Sequence, residues 1–379
     1  MAAASLPGLG LDELRALRTL TAGELALFGD FLHCVPRLGA RWLLDLAERE
    51  GALGLLRTQK ELTAETFHAR AARELGWAEE GHAPRAMARA LLEHLAETQM
   101  LARRGSTFTW RGEGVVRELA LPADDEAHAR ELFGGSLAFY RACLQGSGEV
   151  LRGKPAPVRF GGESAGLWDG VLGCPEQLLL RRLGLQAAGP AAQEVLDLSC
   201  GPGYSTATLA EEWPGASLVA LDITDASYAV VEERTRLSAA AMGVPVSLTM
   251  SKPWPGWGAT LPFPDGSFGA VFFPMNDGFI PAHRRADAFA EMRRVLRPGG
   301  RLIVVSAPLP DAEVRPRPWE VRAHIWFHQF AEFSVQGFQG LATAAEMLAA
   351  ARQGGFADEP DPKRFGGAAW VFCAPPAAA

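Results

Sequence analysis

Two aspartates and a glycine turn hold the first readable chemistry in this chain. In "VLDLSCGPGYST" (residues 195–206) an apolar run ends on Asp197, Leu198 and Ser199 before Gly201 and Gly203, and a second apolar run, "SLVALDIT", closes near Asp222. Glycines so placed make a tight strand-to-helix turn at which backbone can approach a ligand closely. A dinucleotide fingerprint would finish as G-x-G-x-x-G, but Thr206 stands where the last glycine would be. Asp197 precedes the turn instead. A carboxylate there repels a pyrophosphate and can pair with an ammonium group, which points to a ligand with an amino-acid head. Taken singly, each residue has a plainer reading. Gly201 and Gly203 can merely shape a turn, Asp222 can cap a helix, and Asp265 in "FPDGSF" is turn chemistry.

Residues from Glu194 onward alternate strand and helix. "EVLDLS" reads as a strand, "YSTATLAEEWPG" as a helix closed by Pro214-Gly215, "SLVALDIT" as a strand and "DASYAVVEERTRLSAAAMG" as a helix ended at Gly243. "VSLTM" and "GAVFFPM" give two more strands, "RADAFAEMRRVLRPGG" a helix ended by Pro298-Gly299-Gly300, and "RLIVVSAP" a fifth strand. Continuous apolar strands alternating with helices predict an α/β fold with a doubly wound, mostly parallel sheet.

With those elements in place, "VLDLSCGPG" resembles the first motif of class I S-adenosylmethionine-dependent methyltransferases, with Ser199 where that family usually has glycine. Asp222 is similar to the acid that binds the ribose hydroxyls in the family, and a carboxylate suits two adjacent hydroxyls. "LPFPDGSFGAVFF" and "EMRRVLRPGGRLIVV" resemble the family's later landmarks, so the resemblance covers roughly residues 190–373. It implies S-adenosyl-L-methionine as cofactor, held by Asp197, Ser199, Gly201, Gly203, Tyr204, Asp222, Ile223, Ser251 and Phe273. Two departures stand out. Ser199 adds a side chain beside the methionine moiety, tolerable where its backbone avoids positive φ. "MSKPWPGWGAT" (residues 250–260) lacks the acid that commonly holds adenine, leaving Ser251 to substitute and Trp254 or Trp257 to cover the ring or the substrate.

Residues 1 to about 150 read as mainly helical. "ELALFGDFLHCVPRLGARWLLDLAEREGALGLL" has apolar residues at helical spacing, and "LTAETFHARAARELGW" opens on a capping box at Thr63. "APRAMARALLEHLAETQML" carries Pro84 near a first turn, and "LARRGSTFTWRG" makes a hairpin around Gly105-Ser106. Helix, helix and two-stranded wing outline a winged-helix-like unit. The expected domains are therefore 1–120 (winged-helix-like dimerisation), 121–185 (helical linker or lid, with "GKPAPVRFGGESAG" as a connection) and 186–379 (methyltransferase). A winged helix beside a methyltransferase domain looks like the two-domain O-methyltransferases of small aromatic metabolites, which implies a homodimer. The rival reading of the wing is DNA binding. Residues 1–150 contain 17 Lys and Arg against 21 Asp and Glu, with only Arg103, Arg104 and Arg111 clustered on the wing, and an acidic domain lacks that footprint.

The whole chain of 379 residues has a net charge of −7, which does not favour nucleic acid or anionic membranes as partners. Five cysteines without a Cys-x-x-Cys pair fit neither a disulfide framework nor a zinc site. No 18-residue apolar run occurs, and "MAAASLPGLGLDELRAL" lacks the basic start and apolar run of a secretion signal, so a cytoplasmic protein is expected with no metal.

The resemblance implies methyl transfer to a small, apolar or aromatic metabolite of natural-product type. Related plant-like enzymes place a histidine followed by aspartate after the fourth strand, whereas "FFPMNDGF" has Asn276-Asp277 there. The remaining base candidates are His324 and His328, four residues apart in "EVRAHIWFHQF", on one face of an expected helix whose aromatic residues suit a lid; the plainer alternative is an amphipathic helix with solvated histidines. The absent histidine also keeps open a cofactor-binding relative that performs a non-methylating reaction, such as a cyclase or decarboxylase.

Overall fold

The computed structural model describes residues 21–59, 61–112, 119–311, 318–356 and 369–376. These form two compact units: residues 22–174 with 318–340, and residues 175–311 with 341–356 and 369–376.

The first unit is helical. Helix α1 (Ala22–Arg49) buries one stripe, including Val35, Leu38, Leu43 and Leu46, and α2 (Ala52–Arg57) follows it. The sequence reads as one run through this region, but Gly51 takes φ 77° and breaks it, because a left-handed residue cannot continue a right-handed helix. Helix α3 (Ala64–Leu75) starts on Thr63, whose side chain accepts from the Thr66 amide while the Thr66 hydroxyl accepts from Thr63. Helix α4 (His82–Glu97) carries Pro84 in its first turn, where the missing amide costs nothing.

Strands β1 (Leu101–Arg104) and β2 (Thr107–Trp110) pair antiparallel across Gly105, and Leu62 bridges to Phe108 by two backbone hydrogen bonds. The wing arginine Arg103 is held 2.8 Å from the buried Glu93 of α4, so its charge is already answered within the unit. Helices α5 (Ala123–Leu132), α6 (Gly134–Leu151) and α7 (Ala165–Leu172) follow.

The second unit opens with α8 (Pro175–Ala188) and alternates through β3 (Glu194–Leu198), α9 (Tyr204–Glu212), β4 (Ser217–Leu221), α10 (Tyr228–Met242), β5 (Ser247–Met250), β6 (Phe268–Pro274), α11 (Arg285–Val295) and β7 (Leu296–Val305). One further helix of the first unit then intervenes, α12 (Trp319–Glu332), which packs on α1, α4 and α6 although it follows β7 in the chain. Helix α13 (Ala344–Gln353) and strand β8 (Ala369–Cys373) return to the second unit. The sheet order is β5-β4-β3-β6-β7-β8, with β8 antiparallel to β7 and every other pair parallel.

Pro298-Gly299-Gly300 stop α11 one step earlier than the sequence suggests. The helix ends at Val295, and these residues fall in a bulge between the Phe268–Leu296 and Ala270–Arg301 pairs. The sheet is buried on both faces. Leu196, Leu198, Val271 and Val304 lie in one cluster, while Val195, Leu218, Phe272 and Ile303 lie in the other. Because β4 lies on one side of β3 and β6 on the other, the chain reverses its winding at β3. In open α/β sheets, that crevice beyond the carboxyl ends is where ligands bind.

Candidate active site at the ends of strands β3, β4 and β6

Asp197 is in register with Ala220 of β4 and Phe272 of β6, in the middle of the sheet. It is 0% exposed. The Ser205 and Thr206 hydroxyls, from the first turn of α9, donate to its Oδ2 at 2.7 and 2.6 Å, while Oδ1 has no partner. Burial pushes the carboxyl up to about 6 against the pull of the two hydroxyls. A buried carboxylate oxygen with an open lone pair is a place for a donor, and an ammonium group satisfies it best.

The turn after β3 alternates left-handed residues: Ser199 at φ 65°, Gly201 at 51° and Gly203 at 88°. The condition for a serine to sit here without strain, a backbone that avoids positive φ, is therefore not met. The reason is local. The Ser199 and Cys200 amides both bond the Leu221 carbonyl, at 2.8 and 3.1 Å, and hold the turn where a glycine would sit without strain. Such a residue costs about 1–2 kcal/mol. Replacing Ser199 by glycine is accordingly expected to raise the unfolding midpoint by about 2–4 °C in a thermal scan, and a fall would show that the Ser199 side chain contributes more than its backbone loses. Gly203 admits no side chain. A Cβ there would meet Val231 Cα at 2.8 Å, so the start of α9 can lie close on α10.

Asp222 closes the turn from the β4 side. Its Oδ2 accepts the Gly201 amide at 2.7 Å and its Oδ1 accepts the Ile223 amide at 2.7 Å. Burial raises this carboxyl, and the Gly201, Ile223 and Thr224 amides oppose the shift. A carboxylate offers about four lone-pair sites, so beyond these three amides it can still accept one hydroxyl. The Tyr228 hydroxyl accepts the Asp222 amide at 3.1 Å.

The long segment after β5 is anchored to this acid: Trp254 donates its amide to the Asp222 carbonyl at 3.0 Å, and Ser251 donates to Ala220 at 2.9 Å. Trp254 does not cover a ligand. It is buried, its ring against the edge of Trp257, because its indole fills the apolar space under the segment and donates to the Ala259 carbonyl. Trp257 in turn packs on Phe273, which is fully buried in the core, and Ile223 is exposed.

At the end of β6, Asn276 Nδ2 donates to the Pro274 carbonyl at 2.7 Å and to the Ser199 carbonyl at 3.4 Å. An amide accepts no proton at neutral pH. Asn276 thus ties β6 to the first turn. Asp277 beside it is buried, its carboxyl raised by burial and opposed by Ser306 and Arg285.

Two residues of this region escaped the sequence. Arg234 of α10 lies with its guanidinium carbon 3.8 Å from the centre of the Tyr204 ring and donates to the Pro202 carbonyl, and Arg181 of α8 lies 5.7 Å from the same ring. Neither stands in a motif, and only the fold brings α8 and α10 to Tyr204.

His324 and His328 belong to the helical unit. Tyr140 of α6 stands between them, its hydroxyl 3.0 Å from His328 Nδ1 and 3.5 Å from His324 Nε2, and His328 Nε2 lies 3.4 Å from Glu332 Oε2. The alternative of solvated histidines on an amphipathic helix fails, because the pair is enclosed by aromatic rings of Phe31, Tyr140 and Phe327. Enclosure pushes His324 down to about 3, with the charges of His328 and His94 adding to it, and His328 down to about 4. Both are neutral at pH 7, and the His328 side chain retains 24% exposure. Among the described residues no group of three His, Cys, Asp or Glu is arranged to hold a metal, and no helix is long and apolar enough to cross a membrane.

Comparison with known proteins agrees with this geometry. Residues 195–300 match a family model described as a methyltransferase domain. Over 120 residues the chain is 36% identical to a demethylmenaquinone methyltransferase of Thermus thermophilus, covering 32% of this chain and 50% of that protein. The chain spans about half the length of the curated relatives it matches. Two solved structures share the fold over nearly the whole chain. One is the CurJ carbon methyltransferase (TM-score 0.54, 13% identity, 97% of this chain and 100% of that one). The other is an O-methyltransferase family 2 protein from Planctomyces limnophilus in complex with apigenin (TM-score 0.53, 14% identity, 90% and 96%).

Proposed function

We propose that this chain, which carries in residues 195–300 a methyltransferase domain of the class I S-adenosylmethionine-dependent type, methylates a small, apolar or aromatic metabolite. The observation that carries the reading is the pairing of Asp197, whose buried Oδ1 is open to a donor, with Asp222, whose carboxylate keeps a lone pair beyond its backbone bonds, across one left-handed turn. S-adenosylmethionine brings an ammonium head, a ribose diol and, when bound, an electrophilic methyl group. Asp197 suits the first, Asp222 the second, and Gly201 and Gly203 let the backbone lie against the link between them. Asn276 fixes the rim of the turn.

Methyl transfer depends chiefly on alignment in a dry pocket, worth up to about 7–11 kcal/mol. Where the accepting group must also lose a proton, His324 and His328 are the bases of this reading: enclosure keeps both neutral at pH 7 but, by disfavouring the imidazolium, makes them weak bases suited only to an acidic acceptor. A substrate that arrives as an anion or amine needs neither. Incubating the chain with isotopically labelled cofactor and a metabolite extract, then searching by mass spectrometry for labelled methyl groups, tests the proposal; cofactor binding without any labelled product would favour the non-methylating relative, which Asn276 in place of a histidine also suits.

The proposal extends to assembly. The helical unit serves as a dimerisation platform of winged-helix-like outline in a cytoplasmic enzyme of secondary metabolism, and not as a DNA reader, since Arg103 is paired to Glu93. Light scattering is expected to give twice the monomer mass of 40.6 kDa, and the monomer mass in dilute solution would overturn it.

A further inference from the structure

Four side chains of the helical unit stand in one line of polar contacts. Tyr140 comes from α6, while His324, His328 and Glu332 follow one another a turn apart on α12, so a single helix face carries three groups that hold or pass protons. The Tyr140 hydroxyl lies 3.0 Å from His328 Nδ1 and 3.5 Å from His324 Nε2, and His328 Nε2 lies 3.4 Å from Glu332 Oε2. At the far end, His324 Nδ1 is buried and has no hydrogen-bond partner among the described residues.

These contacts leave one arrangement of hydrogens. Glu332 as a carboxylate only accepts, so His328 Nε2 carries a hydrogen. Both rings are neutral because enclosure disfavours the imidazolium. His328 Nδ1 is therefore an acceptor and takes the phenolic hydrogen of Tyr140. The phenol oxygen then accepts from His324 Nε2, which leaves the lone pair of His324 on the buried Nδ1. His94 has the other tautomer, its Nδ1 donating to the Ala323 carbonyl.

We infer that His324, Tyr140, His328 and Glu332 form one directional proton wire, in which His324 Nδ1 takes the hydrogen of a hydroxyl acceptor while Glu332 receives a hydrogen at the other end. The inference rests on the reading of His324 as the base, and it narrows the accepting atom to oxygen, since amines and thiolates attack without a base. The acceptor's O–H bond breaks, and its electron pair stays on the oxygen that attacks the methyl carbon. His324 gains a hydrogen at Nδ1 and gives one from Nε2 to the Tyr140 oxygen. Tyr140 gives its own to His328 Nδ1, and His328 gives one from Nε2 to Glu332 Oε2. Each link gains and loses one hydrogen, so no buried imidazolium or phenolate forms, and the only change of charge among the four is the neutralisation of Glu332. Enclosure makes either imidazole a weak base alone, but it does not oppose a ring that passes a proton on. The two longer contacts fit a wire that tightens when the acceptor is in place. The His328 side chain retains 24% exposure, so the wire meets solvent there and resets.

Nitrogen-15 NMR of the full-length chain with labelled histidine, at neutral pH, tests the wire without any substrate. His324 and His328 are expected as the Nε2–H tautomer and His94 as the Nδ1–H tautomer. An Nδ1–H tautomer at His324 or His328 breaks the line and overturns the inference, whether or not any variant folds. In Tyr140→Phe, His324 loses the group that fixes its hydrogen and should show both tautomers in exchange, while His328 keeps its own through Glu332; an unchanged His324 overturns the link. The second readout is turnover on the labelled product of the extract experiment, in light and heavy water. Tyr140→Phe and Glu332→Gln are each expected to lose about tenfold or more in turnover while S-adenosylhomocysteine affinity stays within about twofold. Wild type should show a proton inventory that bows, with several hydrogens in flight, and both variants a straight one. Near-normal turnover in both variants, or a straight inventory in wild type, overturns the wire. Wild type that binds S-adenosylhomocysteine and yields no labelled product overturns the methyl-transfer reading instead, and the tautomers then decide the wire alone.

Discussion

Lowering the pH from 7.5 to 5 is expected to loosen the helical unit and to spare the sheet unit. His94 of α4 is 0% exposed, its Nδ1 lies 2.8 Å from the Ala323 carbonyl and its Nε2 has no partner. The ring therefore donates from Nδ1 and is neutral in the fold; burial pushes it down to about 4. His324 and His328 are pushed to about 3 and about 4. Each folded value lies below the ordinary histidine value of about 6.5, so stability is complete above that pH and is lost as the pH falls toward 4. At about 1.4 kcal/mol per pH unit, His94 alone withdraws about 2 kcal/mol by pH 5. His328 contributes less because solvent reaches it, and Glu93, raised by burial, opposes the trend.

The sheet unit has the opposite sign. Asp197, Asp222 and Asp277 are all raised by burial, so their charges cost stability at neutral pH and protonation relieves that cost as the pH falls through each raised value, about 6 for Asp197. Hydrogen exchange read by mass spectrometry, corrected for the intrinsic rate, should show protection lost in α6 and α12 at pH 5 and kept in β3 and β4. His94→Asn, which keeps a donor for Ala323 and cannot charge, should flatten the response. Equal losses in both units would sink the assignment.

That contrast also marks what the sequence discloses. The first turn was legible because strand, acid and glycines are neighbours in the chain, and the sheet's alternation followed from apolar runs broken by turn residues. The strain at Ser199 was not, since a backbone angle is set by the Leu221 carbonyl from another strand. Nor was the fate of Trp254: a tryptophan in a proline- and glycine-rich segment looks available to a ligand, and only packing shows it filling the core. His324 and His328 were visible as a pair at helical spacing, but Tyr140, which joins them, lies on a helix far away in sequence. Contacts between distant segments leave no local pattern, and Arg181, Arg234 and Glu93 are of that kind.

The largest single-residue effect on the ligand is expected at Asp222. Both carboxylate oxygens already accept a backbone amide at 2.7 Å, and these bonds set the angle at which the remaining lone pair faces outward. Asp222→Ala removes a charge-assisted bond to a ribose hydroxyl and also leaves the Gly201 and Ile223 amides unanswered, so that the turn itself loosens. Together these amount to about 2–3 kcal/mol of binding, or roughly a 30- to 150-fold weaker affinity for S-adenosylhomocysteine by calorimetry. Asp222→Asn separates the two contributions. Its amide oxygen can keep one backbone bond while its amino group no longer accepts, so it should restore much of the thermal stability lost in the alanine variant but recover only part of the affinity. An adenosine analogue lacking both ribose hydroxyls should lose clearly less affinity on Asp222→Ala than S-adenosylhomocysteine does, because the ribose contact is absent from both and only the loosened turn still differs. Affinity of Asp222→Ala for S-adenosylhomocysteine within threefold of wild type would place the ribose elsewhere.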